Sequence, residues 1–439
     1  MHPLLRIAIA VFVVALLALF IVTTFVPAPA AEFARAREYF TEQEIDTGVQ
    51  YSFQRRLFFW ASTALEVGLL IGLVATGAAR RLADWLARWF GYHGEADVPA
   101  ASWKEWAIAL ARWLAVLAAM GATYILLHEL LQFPLSVSRF YHSRAWGFTE
   151  RPFVEWFREY CLGLGVMVGV EAIAGFGLYL LLRWFPRTWY LLGTAGATIL
   201  GFTFAFLQPI LVAPLFNTFT PLSETEFAKQ PKWKGFEDKV RALTAKAGIT
   251  IDKVYVADAS RQGTHTNAYF SGLGSTQSIV LYDTLLEKHP PDEVESILGH
   301  EIGHWTHRHI IKGILLAALA ALVGLIVLDR VLRLCLSRPP LCLRSLSDPA
   351  GLPLILLLAA IAGWLAAPVE NAVSRHFERQ ADESSLKLAG MPRVFIDAEK
   401  RLVRDNKSNV VPAPWSVWFF ATHPTALDRI EMAERWRGE

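Results

Sequence analysis

Residues 291–328 read PDEVESILGHEIGHWTHRHIIKGILLAALAALVGLIVL, and the stretch holds two signals end to end. Its first half opens as a helix, with Pro290, Pro291 and Asp292 at the first turn, where a missing backbone N–H costs nothing. Its second half begins an apolar run, Ile310 to Leu334, long enough to cross a bilayer, which takes roughly 20 such residues in a helix. The spacing predicts that the first helix runs straight into the second. Within the first half stand His300, Glu301 and His304. Histidines four apart lie one turn above each other, so both imidazoles reach one zinc at about 2.0–2.1 Å while the glutamate sits beside its open position. A zinc-bound water titrates near about 7, and Glu301 is placed to take its proton and hand it to a leaving amine. The plainer alternative is a helix whose polar face carries two histidines.

Working outward, the chain has 439 residues, 54% of them hydrophobic and 19% charged, with a net charge of +2. That is too apolar for an ordinary soluble enzyme and indicates a multi-pass membrane protein. The balance of 42 basic and 40 acidic residues leaves no clustered excess for binding nucleic acid. Seven stretches are long enough to span: Leu4 to Val26, Leu57 to Ala78, Trp106 to Leu131, Cys161 to Leu182, Trp189 to Leu211, Ile310 to Leu334 and Leu352 to Ala367. The first also reads as a cleaved signal peptide, but its apolar run is longer than a signal's usual 7 to 15 residues and favours a retained span. Cys161, Cys335 and Cys342 form no CxxC pair, so free thiols are expected. Between the fifth and sixth spans, Lys234 to Ala247 reads as an amphipathic helix stopped by Gly248, and Lys253 to Val256 and Ser278 to Tyr282 read as short strands. The chain divides accordingly into a five-span region (1–216), a catalytic segment (217–309), a transmembrane hairpin (310–369) and a C-terminal catalytic segment (370–439).

A third metal ligand has to come from elsewhere, because the Gly and His that extend one class of zinc motif are replaced here by His307 and Ile310. His128-Glu129 lacks a second histidine and cannot form the pair. Beyond the seventh span, Asn371, Ser374, Arg375, Glu378 and Asp382 fall at spacings of three and four and make one polar stripe on a helix. Glu378 would complete a His2Glu site, leaving Asp382 to accept a hydrogen bond from a ligand histidine and fix its tautomer. A solvated helix face is the other reading of such a stripe. Topology supports the first: two crossings separate His304 from Glu378 and return the chain to the same side of the membrane.

These residues resemble the Ste24 type of CAAX prenyl protease, in the M48 family of integral-membrane zinc metalloproteases. The resemblance extends to Tyr39-Phe40-Thr41 through Tyr51, Trp146 to Thr149, Pro214 to Leu222, Thr266 to Phe270 and Thr422-His423-Pro424. It implies an all-α membrane protein of seven transmembrane helices enclosing a chamber, with a small α+β gluzincin-like catalytic domain. It further implies one Zn2+ per chain held by His300, His304 and Glu378, with Glu301 as base and His423 stabilising the oxyanion. Asp382, Asn371 and Arg375 would support the ligands, and Arg429 would assist. Asn267, Ala268, Tyr269 and Phe270 would lie on an edge strand that pairs with a peptide or protein substrate, with or without a lipid on it. An internal strand, and for His423 an ordinary helix start before Pro424, are the readings without the family. The membrane would be a bacterial inner membrane or the endoplasmic reticulum.

Glu66, Glu129 and Glu171 interrupt apolar spans and are expected to line the cavity. They also motivate the competing reading, a transporter or channel with a metal-binding site. Gly299 and Gly303, four apart, clear one face of the motif helix, and the expected visitor to that face is a substrate strand.

Overall fold

The apolar runs form helices that outrun the bilayer. In the computed structural model, which describes residues 3–93, 102–249, 254–272 and 276–437, the seven candidate spans lie in helices Pro3–Phe25, Glu42–Ala75, Trp103–Ala145, Phe153–Trp184, Trp189–Leu207, His309–Cys335 and Leu352–Ala389. Their buried residues form several cores. At one end Val74, Trp113, Tyr179, Trp189, Leu332 and Leu354 share a core, closed by the amphipathic helix Ala78–Phe90. At the other end lie the cores of the polar segments. No residue in the apolar windows of the fifth and sixth helices is buried, and their Ile199, Leu319 and Val323 are exposed as lipid-facing residues are. The helices enclose a chamber but do not meet only at their ends: Phe12, Leu16, Trp60 and Val67 form a further core where the first, second and seventh spans pass each other, and the fifth and sixth span helices pack together. Of the carboxylates within the spans, Glu66 and Glu129 are half-buried and Glu171 is exposed.

The segment between the fifth and sixth spans folds on a four-stranded sheet of order β1-β2-β4-β3, with β1 Phe219–Pro221, β2 Val254–Ala257, β3 Ala268–Ser271 and β4 Ser278–Tyr282. The strand expected from Lys253 starts among the described residues at Val254 and runs one residue further; Lys253 itself lies outside them. Helix Phe236–Lys246 ends as expected, with Gly248 at φ +72°. The motif helix, Pro291–Thr306, buries Val294, Leu298 and Ile302 completely against this sheet, one apolar stripe at a spacing of four. That packing turns His300, Glu301 and His304 away from the sheet's core.

Two helix boundaries differ from expectation in opposite ways. The motif helix does not run into the sixth span: it ends at Thr306, Arg308 adopts a left-handed φ of +55°, and a new helix begins at His309. Neither Gly nor Pro marks the break, and a left-handed residue with a Cβ costs about 1–2 kcal/mol. Conversely, the seventh span and the polar stripe form one unbroken helix of 38 residues, about 57 Å long against a hydrocarbon core of about 30 Å. Glu378 stands roughly 40 Å along it, at a rise of about 1.5 Å per residue, farther than the hydrocarbon core is thick. This carboxylate helix, not a substrate strand, occupies the face cleared by the glycines. A Cβ on Gly303 would sit 2.8 Å from Ala381 Cα and Ser384 Cβ, and one on Gly299 3.1 Å from Ser385 Cα.

The early polar segment braces the far side. Thr41 caps helix Glu42–Ala75 in a capping box with Glu44, and Glu44 also accepts from Arg404 at 2.6 Å. Tyr39 donates to Glu434 at 2.8 Å. Phe148 stacks on His265 at 4.4 Å, and Lys407 donates to the Trp146 carbonyl at 2.6 Å. The three cysteines are free thiols.

Candidate metal centre and active site

The close helix crossing at Gly299 and Gly303 brings the carboxylate helix onto the histidines. His300 Nε2 lies 3.1 Å from His304 Nε2 and 3.3 Å from Glu378 Oε2, and His304 Nε2 lies 3.4 Å from Glu378 Oε1. Four ligands arranged tetrahedrally around zinc at about 2.0–2.1 Å have donor atoms about 3.3 Å apart, and each of these contacts is near that length, with a different Glu378 oxygen facing each histidine. Glu378 is buried, and its Oε2 makes no hydrogen bond. A buried carboxylate oxygen without a donor is costly unless a cation is its partner. The donor set and its spacing fit a metal ion, and these three residues could hold one.

The remaining ring nitrogens are committed. His300 Nδ1 meets Asp382 Oδ1 at 2.7 Å. Asp382 is fully buried and receives Arg429 in a two-point contact, Nε to Oδ2 at 2.9 Å and Nη2 to Oδ1 at 2.5 Å; the third guanidinium nitrogen reaches Glu399 at 2.7 Å. His304 Nδ1 faces His309 Nδ1 at 2.9 Å. Burial acts to lower the His300 imidazole, but the neighbouring Asp382 and Glu378 carboxylates outweigh it and raise it to about 10. Burial and the neighbouring His300 push His304 down to about 4. A metal ion at these Nε2 atoms would displace the His300 proton, as metal binding generally does.

Glu301 faces a cavity of about 150 Å³ that also touches Asn267, Ala268, His423 and Arg429. Burial pushes its carboxyl up to about 7; the Glu378 carboxylate adds to the rise, while His300 and the backbone N–H of Phe270 oppose it. That N–H belongs to β3, the outer strand of the sheet, paired antiparallel with β4 and with no second partner strand among the described residues. Asn267 precedes β3 and accepts from the Ala268 N–H at 3.0 Å, Tyr269 sits within it, and Phe270 stacks on Trp305 at 6.1 Å. His423 reaches in from the C-terminal segment, Nε2 3.2 Å from Glu378 Oε2, with its side chain 58% exposed to the cavity.

Asn371 donates to the carbonyl of Phe419, and Arg375 donates to Val417 and Ala421 at 3.0 and 2.6 Å. Both hold the carboxylate helix to the aromatic helix Pro414–Phe420 and stand apart from the ring nitrogens. Sequence reasoning missed Glu399, His309 and Gln380. Glu399 sits on a helix, Pro392–Asn406, that carries no motif, and His309 read as the last residue of the catalytic segment, next to a membrane span.

The profile of peptidase family M48 matches residues 233–437, and that of the CAAX prenyl protease N-terminal region, with five membrane helices, matches residues 23–218. The chain belongs to the Ste24-type proteases of family M48. This M48 protein is 26% identical over 396 residues to an uncharacterized metalloprotease of Bacillus subtilis, covering 89% of this chain and 86% of that protein. It is 33% identical to CAAX prenyl protease 1 of Saccharomyces cerevisiae over 201 residues, 44% of this chain and 41% of the yeast protein. With CAAX prenyl protease 1 homolog of Dictyostelium discoideum it shares 32% identity over 282 residues, covering 60% and 61%. The crystal structure of S. mikatae Ste24p superposes with a TM-score of 0.77 at 20% identity, covering 98% of this chain and 99% of that one, and shares the fold. The protein is thus a multi-pass integral-membrane metalloprotease acting on peptides or proteins.

Proposed function

We propose that this M48 protein is a zinc endopeptidase that cuts near the C-terminus of membrane-associated substrates, CAAX-type sequences among them. The observation that carries this reading is the cluster of His300 Nε2, His304 Nε2 and the Glu378 carboxylate, with Glu301 beside it and, across from it, a strand edge that has no partner among the described residues. His300, His304 and Glu378 would hold one zinc ion, which would supply Lewis acidity, polarising a carbonyl and making a water more acidic.

The chain's own residues do the rest. β3 receives the substrate as an added strand through backbone hydrogen bonds, which serve many sequences equally. Glu301, a base tuned near neutrality, removes a proton from the attacking water and delivers it to the leaving amine. His423 donates from Nε2 to the oxygen that gains charge as the carbonyl is attacked. Asp382, held by Arg429, keeps the proton of His300 on Nδ1 and its Nε2 lone pair toward the metal. Support for the CAAX reading comes from the prenyl protease relatives named above.

The test is zinc content and cleavage in detergent, wild type beside Glu301→Gln, on matched C-terminal peptides with and without a farnesylated cysteine. The expected result is one zinc per chain in both proteins, with turnover reduced by about 10²–10⁴ in Glu301→Gln. Cleavage of the farnesylated peptide alone makes the enzyme a CAAX protease, and cleavage of both makes it a broader one. Unimpaired cleavage by Glu301→Gln with full zinc would sink the mechanism.

A further inference from the structure

We infer that His309 is the positioning residue for His304, swung under it by the left-handed turn at Arg308, and fixes the tautomer that presents Nε2 to the metal. This rests on the reading of His304 as a ligand. His304 Nε2 is committed to the site, 3.1 Å from His300 Nε2 and 3.4 Å from Glu378 Oε1. A neutral imidazole carries one proton, so that of His304 is on Nδ1. Nδ1 lies 2.9 Å from His309 Nδ1, and two ring nitrogens share a hydrogen bond only when one donates and the other accepts. His304 donates, His309 accepts, and the proton of His309 is therefore on Nε2. There it meets an acceptor, Gln380 Oε1, at 3.0 Å. Each member of the relay has one assignment consistent with the others.

The ring of His309 is locked. It is buried and lies flat on Phe377, centroids 4.2 Å apart and planes within 8°, with His307 stacked on it at 5.5 Å. Phe377 and Gln380 flank Glu378 on the carboxylate helix, so the third ligand and the support of the second move as one body. Residues five apart on an unbroken helix point about 140° apart and cannot face each other. The turn at Arg308, unfavourable for a residue with a Cβ, removes that obstacle, and it accounts for a break that neither Gly nor Pro explains. The two histidines are thus supported by different chemistry: a carboxylate behind His300, a neutral imidazole and amide behind His304.

The experiment uses the full chain in detergent, with zinc retention against a competing chelator and the absorption spectrum of the cobalt(II)-substituted protein as readouts. His309→Phe keeps a ring to stack on Phe377 but offers no acceptor, whereas His309→Asn places an amide oxygen near the position of Nδ1. The expected results are a zinc dissociation constant raised about 10–100-fold and an altered cobalt spectrum in His309→Phe, with His309→Asn close to wild type. Gln380→Leu, which removes only the last acceptor, weakens zinc less than His309→Phe and decides the matter if His309→Phe does not fold. Wild-type zinc affinity with an unaltered cobalt spectrum in His309→Phe, or in Gln380→Leu in its place, would overturn the proposal; so would a defect in His309→Asn equal to that of His309→Phe. His304→Ala is measured alongside: if it keeps its zinc, the assignment of His304 as a ligand has failed, not the relay.

Discussion

The two helices that meet at the metal centre are held in contrasting ways. The motif helix is short, 16 residues, and is gripped along its length: Val294, Leu298 and Ile302 are sealed against the sheet while Gly299 and Gly303 touch the carboxylate helix. The carboxylate helix is a 38-residue rod fixed at its ends. Leu354 and Leu357 are sealed in the membrane-side core and Ala381, Asp382 and Leu386 at the site, with Asn371 and Arg375 bracing the stretch between by polar bonds to 417–421. The site therefore lies where a membrane element and a water-soluble one are pressed together at glycine. Alignment at that junction should matter far more than any single brace along the rod.

The largest effect is expected at the junction itself. Gly303→Leu puts a side chain where even a Cβ would lie 2.8 Å from Ala381 Cα, so it should destabilise the protein by about 3 kcal/mol and abolish both zinc binding and cleavage. Thermal unfolding with metal analysis checks this, and an active, stable Gly303→Leu would break the contrast. Asp382→Asn should come next. It keeps the shape but removes the charge behind His300 Nδ1 and from the Arg429 pair, and zinc affinity should fall about 10–100-fold in a chelator competition. The smallest effect belongs to the rod: Asn371→Ala loses one bond to the Phe419 carbonyl, worth about 1 kcal/mol, and should leave zinc affinity unchanged. A large loss of zinc in Asn371→Ala would show that the middle of the helix is as critical as its end.

The contrast also explains what could be read from the chain. Apolar length declared the spans, and a short run of β-branched and aromatic residues declared β4, whose bounds at Ser278 and Tyr282 agree with the reading. The spacing of His300 and His304 and the stripe ending at Asp382 are local helix geometry, visible in any helix, and Glu378 does arrive beside the histidines. What escaped depends on which helix lies beside which. The partner of Gly299 and Gly303 is more than 75 residues away in the chain, so their purpose was misassigned to a substrate strand. The turn at Arg308 has no residue type that demands it; it follows from contacts of His309 with His304, Phe377 and Gln380 made across the junction. Glu399 reaches Arg429 from a helix whose sequence is otherwise that of an ordinary amphipathic surface helix.

The central claim is that one zinc ion bridges the soluble motif helix and the membrane-borne carboxylate helix. Metal analysis with zinc K-edge X-ray absorption on the wild type and Glu378→Ala tests it most directly. The account predicts one zinc per chain, with two imidazole nitrogens and a carboxylate oxygen among its ligands, and loss of most of that zinc in Glu378→Ala. Full zinc with an unchanged coordination spectrum in Glu378→Ala would contradict it.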